Sequence, residues 1–163
     1  MKIALLASFL VMAAYFLLLY AGVGLIQEKK FFSAPREVFA AVPERKAECF
    51  RGAHILGWYL GILAMLLFLG AAVLAAWDGI KNSFPFGAFF ARYLVILYVM
   101  EVYDILFFDW VLLCHSNFFP HFYPEVKGIA APQLFRYNKK AHFMHFLLYI
   151  PLSAALAWVC TLF

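Results

Sequence analysis

Four long apolar stretches, each ended by a polar or proline-bearing segment, set the organisation of this chain. Ile3 to Ile26 contains no charged residue, and Ala53 to Trp77, Ala88 to Cys114 and Ala141 to Phe163 are nearly as oily. Each exceeds or matches the ~20 residues that an α-helix needs to cross the hydrocarbon core of a bilayer. The first stretch also outruns the ~7–15 residues of a secretory signal core, so it reads as a span and not as a cleaved leader.

The polar connections add expectations of their own. Residues 33–51 carry Ser33 as a candidate N-cap, Pro35 and Pro43 where each can open a short helix, and an oily side of Val38, Phe39 and Val42. That pattern predicts a pair of interfacial helices lying on the membrane. Residues 115–140 hold three prolines and the aromatics Phe118, Phe119, Phe122 and Tyr123, a composition that predicts an irregular loop at the headgroup level. The expected fold is all-α and integral to the membrane. It is a single four-transmembrane-helix bundle with spans near 3–26, 53–77, 88–114 and 141–163 and short interfacial helices in the loops. Pro151 removes one backbone hydrogen bond inside the last span and predicts a kink there.

Composition agrees. Of 163 residues, 67% are hydrophobic and only 13% charged, with a mean hydropathy of +0.87, against roughly 25% charged in soluble domains. Cys49, Cys114 and Cys160 have no spacing that suggests a disulfide frame, a zinc ribbon or a redox pair. Ten of the thirteen basic residues (Lys29, Lys30, Arg36, Arg45, Lys46, Arg51, Lys127, Arg136, Lys139 and Lys140) fall in the loops after the first and third stretches. The positive-inside rule then makes loops 27–52 and 115–140 cytoplasmic and places both termini outside, in a plasma or inner membrane. The net charge of +4 is topology and contact with anionic lipid, with no nucleic acid implied.

The third stretch changes the picture, because Glu101, Asp104 and Asp109 stand inside it. An ionisable group at a helix centre costs on the order of 2.5–3.5 kcal/mol on insertion scales, so such groups mark ion paths or ligand sites. At about 100° per residue all three share one broad face, with Asp104 and Asp109 ~140° apart, too far for a paired carboxylate site. The last stretch has a stripe of its own, His142, His145 and Tyr149 at i, i+3 and i+7. Counting inward at ~1.5 Å per residue sets Asp109 level with His145 and Asp104 level with Tyr149, with Glu101 deepest. Four spans also bring His54, His115, His121, His142 and His145 to the same end.

A ladder of Glu101, Asp104, Asp109 and Tyr149 suits the passage of protons or a cation. His115, His142 and His145 with Asp109 are candidate ligands for a divalent metal cofactor. Gly57 and Gly61, four residues apart, predict a close helix contact within the chain or between copies. The expected function is a small transport-type or accessory membrane protein whose acid and histidine site handles protons or a metal cation. The alternatives are an enzyme acting on a lipid or isoprenoid headgroup at the cytoplasmic face, with Asp109 and His145 or His115 as acid and base, and a structural subunit whose polar groups only fix helix packing. Expected partners are membrane lipids and a second copy or another membrane subunit. The sequence has no G-x-S motif of a rhomboid-like protease, no C-x-x-C and no H-E-x-x-H, which argues against those chemistries.

Overall fold

The computed structural model describes residues 2–31, 36–127 and 131–163, leaving aside the side chains of 36–38 and 131–137. Every long element in it is helical, and the one extended pairing among the described residues is an isolated bridge between Glu28 and Arg45. Helix α1 (Lys2–Leu19) runs on into wider i→i+5 turns over Tyr20–Ile26. Short α2 (Arg36–Ala41) precedes α3 (Ala53–Lys81). Helix α4 (Phe86–Tyr103) widens in the same way over Asp104–Cys114, and short α5 (Phe118–Phe122) leads on to α6 (Ala131–Cys160). Three helices are long and apolar enough to cross a membrane: Lys2–Ile26, Ala53–Lys81 and Asn138–Cys160.

Small residues close the bundle. Helix α3 buries Ala64, Ala71, Ala75 and the two ends of the same stripe, Gly57 and Gly79, while Ile55, Tyr59, Ile62, Leu66 and Trp77 point outward. Lipid is as apolar as leucine, so helices in it associate by close backbone approach, which small side chains permit. A Cβ on Gly57 would stand 2.7 Å from Ile26 Cγ1, and one on Gly79 would overlap the ring of Phe89. Gly61 differs: nothing lies within 4 Å of a Cβ built there, and the residue borders open space.

Helix α1 packs between α3 and α4, and α4 packs along α6. All four helices meet at the end where the termini lie, around Ala7, Val11, Ala71, Phe89, Tyr93 and Ala157. Toward the loop end α3 and α6 part, and cavities open beside α1.

Several expectations from the sequence change here. Arg92 stands at the start of the third apolar stretch, close enough to its end for the long stem to snorkel to the interface, but it does not reach outward. It is buried and pairs with Asp78 Oδ2 at 2.7 Å, donates to the Ala75 carbonyl at 2.7 Å and lies 4.4 Å from the Phe84 ring centroid. A counter-charge at the end of α3 makes the inward rotamer available. Where a pair of interfacial helices was expected, the described residues form one short helix, α2. Residues 44–46 are instead held extended against the end of α1, by Lys29 N–H to Glu44 O at 2.9 Å and Lys46 N–H to Gln27 O at 3.2 Å. The candidate cap Ser33 and Pro35 lie outside the described residues.

Phe118, Phe119, Phe122 and Tyr123 of the 115–140 segment turn inward. Tyr123 is fully buried with Val23, Val42 and Val126, and Phe118, Phe119 and Phe122 pack on that core. A Cβ on Gly24 would touch the Phe122 ring at 3.1 Å, so the wide turns of α1 provide the seat. Lys46 pins the segment, donating to the Phe122 carbonyl at 2.9 Å and to Glu125 at 3.1 Å. The amide of Glu125 itself, and then Lys46, hold the Glu125 carboxyl below its ordinary value. The segment is also shorter than expected, because Pro132 opens a helix as its second residue and α6 starts at Ala131 instead of Ala141.

Candidate functional site

Glu101 is the centre of a polar cluster between α4 and α6. Its side chain is 2% exposed and stands midway along the run from Phe86 to Cys114, with three hydrogen-bonding partners on α6 and, among the described residues, no lysine or arginine paired with it. Oε1 lies 2.8 Å from His142 Nδ1 and 3.1 Å from His145 Nδ1, and Oε2 accepts a hydrogen bond from the Tyr149 hydroxyl at 2.9 Å. The other nitrogen of His142, Nε2, is 2.7 Å from Asp109 Oδ2. Asn138 in turn donates to both oxygens of Asp109, at 3.0 and 3.2 Å. Asp104 Oδ2 is 3.8 Å from His142 Nδ1.

Helical spacing explains half of this arrangement. Asn138, His142, His145 and Tyr149 follow at i, i+4, i+7 and i+11, one continuous face of α6. Tyr98, one turn before Glu101, fixes the register by donating to the Phe146 carbonyl at 3.1 Å, with the two rings edge to face. The other half comes from the wide turns of Asp104–Cys114. Each turn there takes one more residue than an α-turn, so Asp104 and Asp109, five apart, come to the same side. Both carboxylates therefore reach His142, although α-helical geometry would hold them ~140° apart.

The pairing also differs from the simple depth count. Asp109 meets His142 and Asn138 instead of His145, and Tyr149 meets Glu101 instead of Asp104, because α6 begins earlier than its apolar run. His115 does not join: its Nδ1 sits 2.7 Å from the Trp110 carbonyl and its ring packs against that indole. His54 pairs at the loop end with Arg45 at 2.7 Å and Glu48 at 3.3 Å, and His121 packs edge-on against Phe122. The Glu48 carboxyl is held below its ordinary value first by the amide of Gly52 and also by His54 and Arg45.

Two participants escaped the sequence reading. Asn138 stood in a segment taken for loop, although extending the α6 stripe one turn backward reaches it. Tyr15 of α1 interacts with Asp104 and helps line a cavity of about 360 Å³. Asp104, Asp109, His142 and His145 form the polar end of that cavity, and Leu18, Val23 and Leu113 belong to its apolar remainder.

The ligating atoms of Glu101, His142 and His145 all lie within 4.8 Å of one another. Metal–ligand bonds of about 2.0–2.2 Å place neighbouring ligand atoms about 3 Å apart, and the 2.8 and 3.1 Å separations around Oε1 match that spacing. The outer contacts favour the same use. In the tautomer that carries its proton on Nε2, toward Asp109, His142 turns a lone pair on Nδ1 to the space beside Oε1, while Tyr149 donates to Oε2.

Comparison of the chain with family models, with curated proteins and with solved structures finds no match.

Proposed function

We propose that this chain is a four-span membrane protein that holds a first-row transition-metal dication on Glu101, His142 and His145, within the cytoplasmic half of the bundle. The run Phe86–Cys114 is the fourth span, both termini lie outside, and the basic loop end faces the cytoplasm. One observation carries the cation reading: three carboxylates, of which Glu101 and Asp109 are buried, cluster with two histidines, and no lysine or arginine among the described residues pairs with those acids. Even two imidazolium rings leave one negative charge over, and an uncompensated buried charge is strongly unfavourable. A dication on neutral histidines offsets two of the three negative charges and bonds the carboxylate and imidazole atoms directly, and two histidines with one carboxylate suit zinc, iron and nickel.

The site serves an accessory or ligand-binding role better than a conduit. Beyond Glu101, toward the termini, α4 presents Ile96, Tyr93 and Phe89 and its neighbours present alanines; Arg92 is paired with Asp78 and Tyr93 with Cys160, and what is left among the described residues is the buried hydroxyls of Ser8 and Ser153, which do not titrate. The ladder thus has a mouth and no far exit among the described residues.

The test is elemental analysis of gently purified protein after exposure to divalent metals. One dication per chain is expected, lost in Glu101→Gln and in the double variant His142→Ala, His145→Ala while the circular dichroism of the helices is kept. Absence of saturable binding in the unaltered protein would overturn the reading.

A further inference from the structure

A second cavity of about 470 Å³ lies between α1 and α3, walled by Ala21, Gly22, Trp58, Gly61, Met65 and Leu66. Its wall carries no ionisable side chain. Leu18 and Phe31 belong to this cavity and to the 360 Å³ cavity of the acid and histidine cluster alike. The two spaces therefore adjoin at these two side chains. Each volume falls within the roughly 300–1,000 Å³ of small-molecule pockets. Side by side they make a cleft whose oily arm and carboxylate-rich end share Leu18 and Phe31 as their border.

The charges select the occupant. At the polar end Asp104 is left over once a dication has met Glu101, and Asp109 faces the same space. An anionic head is repelled there, whereas a head that donates hydrogen bonds is accepted. The mouth of the oily arm does not attract phosphate strongly either. Lys30, lying 5.4 Å over the Trp58 ring, is paired with Glu28 at 2.6 Å, and Lys29 is paired with Glu44 at 3.2 Å.

We propose that this cleft binds a long-chain amphiphile, its chain along α1 between Trp58 and Met65 and its head among Asp104, Asp109 and His145. The head bears a hydrogen-bond donor and no negative charge, as in a long-chain amine or alcohol. Phe31, packed edge-on against Trp58 at 5.8 Å and seated on Gly22, covers the point where chain passes into head. The inference rests on the carboxylate and histidine cluster being a ligand site, and not on the identity or presence of the metal.

Trp58 stands in the oily arm and gives the readout. With Trp77, Trp110 and Trp158, all exposed, replaced by phenylalanine, the remaining fluorescence reports brominated chains in that arm. Brominated long-chain amine and alcohol in detergent are expected to quench it saturably and several-fold more tightly than the brominated fatty acid. Gly61→Leu fills open space and is expected to abolish the saturable component while leaving metal content unchanged. Asp104→Asn is expected to remove the preference for amine over acid. Non-saturable quenching equal for all three heads, or saturable quenching that survives Gly61→Leu, overturns the proposal. Metal loss with quenching intact overturns only the cation reading. If the triple tryptophan variant does not fold, the difference in quenching between the unaltered protein and Gly61→Leu answers the same question.

Discussion

Helix α4 buries charge in two places, and the two are solved differently. Near the termini, Arg92 meets one carboxylate, one carbonyl and one aromatic face, so the ion pair is balanced and closed. Half a helix away, among the described residues, Glu101, Asp104 and Asp109 meet only histidines, two tyrosines and an asparagine, and a cavity lies alongside. The same helix thus carries a finished clamp and an unfinished cluster. Burial alone does not mark a functional site; a charge excess beside open volume does.

The sharpest way to separate the two regions is Arg92→Leu. It strands Asp78 beside α4, and breaking a buried pair on one side costs about 3–5 kcal/mol, at the lower end here because Asp78 is 23% exposed. The thermal midpoint in detergent should fall well below that of the unaltered protein while metal bound per folded chain stays the same. A metal loss in proportion to the stability loss would show that the two regions are one.

Asp109→Asn attacks the comparison from the other side. Removing a carboxylate that orients a ligating histidine weakens metal affinity about 10–100-fold, or ~1.4–2.7 kcal/mol, as titration with a competing chelator would read. Thermal stability of the metal-free form should change less than in Arg92→Leu, because the variant reduces the charge excess. Tyr149→Phe is expected to act in the same direction but more weakly. It removes one hydrogen bond to Glu101 Oε2, worth about 1 kcal/mol, which the same chelator competition resolves. Equal affinity in both variants would mean that these outer contacts do not aim the ligands.

The smallest effect belongs to the exposed clamp at the loop end. Lys46→Ala should shift stability by no more than about 1 kcal/mol and leave metal binding alone. Glu125, whose carboxyl is held below its ordinary 4.5, contributes stability that is fully present above that value and is lost as pH falls through its lower folded-state value. A midpoint that falls on acidification less steeply in Lys46→Ala than in the unaltered protein would identify that contribution.

Much of this was legible along the chain. The uncharged run Ile3–Ile26 and the oily runs around Ala64 and Tyr149 reveal long apolar helices, since twenty apolar residues in a row have few other uses. The stripe His142, His145, Tyr149 and Glu101 were readable as polar faces of two helices, and these side chains meet in the structure, because α-helical periodicity is local. Asn138 was hidden by the polar residues around it, which look like loop until Pro132 is seen to start a helix. Arg92 and the aromatics Phe118 to Tyr123 were placed outward by composition, but partners far away in sequence, Asp78 and the end of α1, draw them in.

What the sequence by itself determined is the helical class, the three long apolar helices and the presence of acids and histidines that need partners. Which acid meets which histidine was decided by tertiary structure alone. Asp104 and Asp109 converge on His142 because the turns between them are one residue wider than an α-turn, and the start of α6 at Ala131 sets which residues face them. A helix that changes its pitch in this way leaves no periodic mark in the sequence, since the choice between i→i+4 and i→i+5 bonds depends on what the neighbouring helix offers to bind.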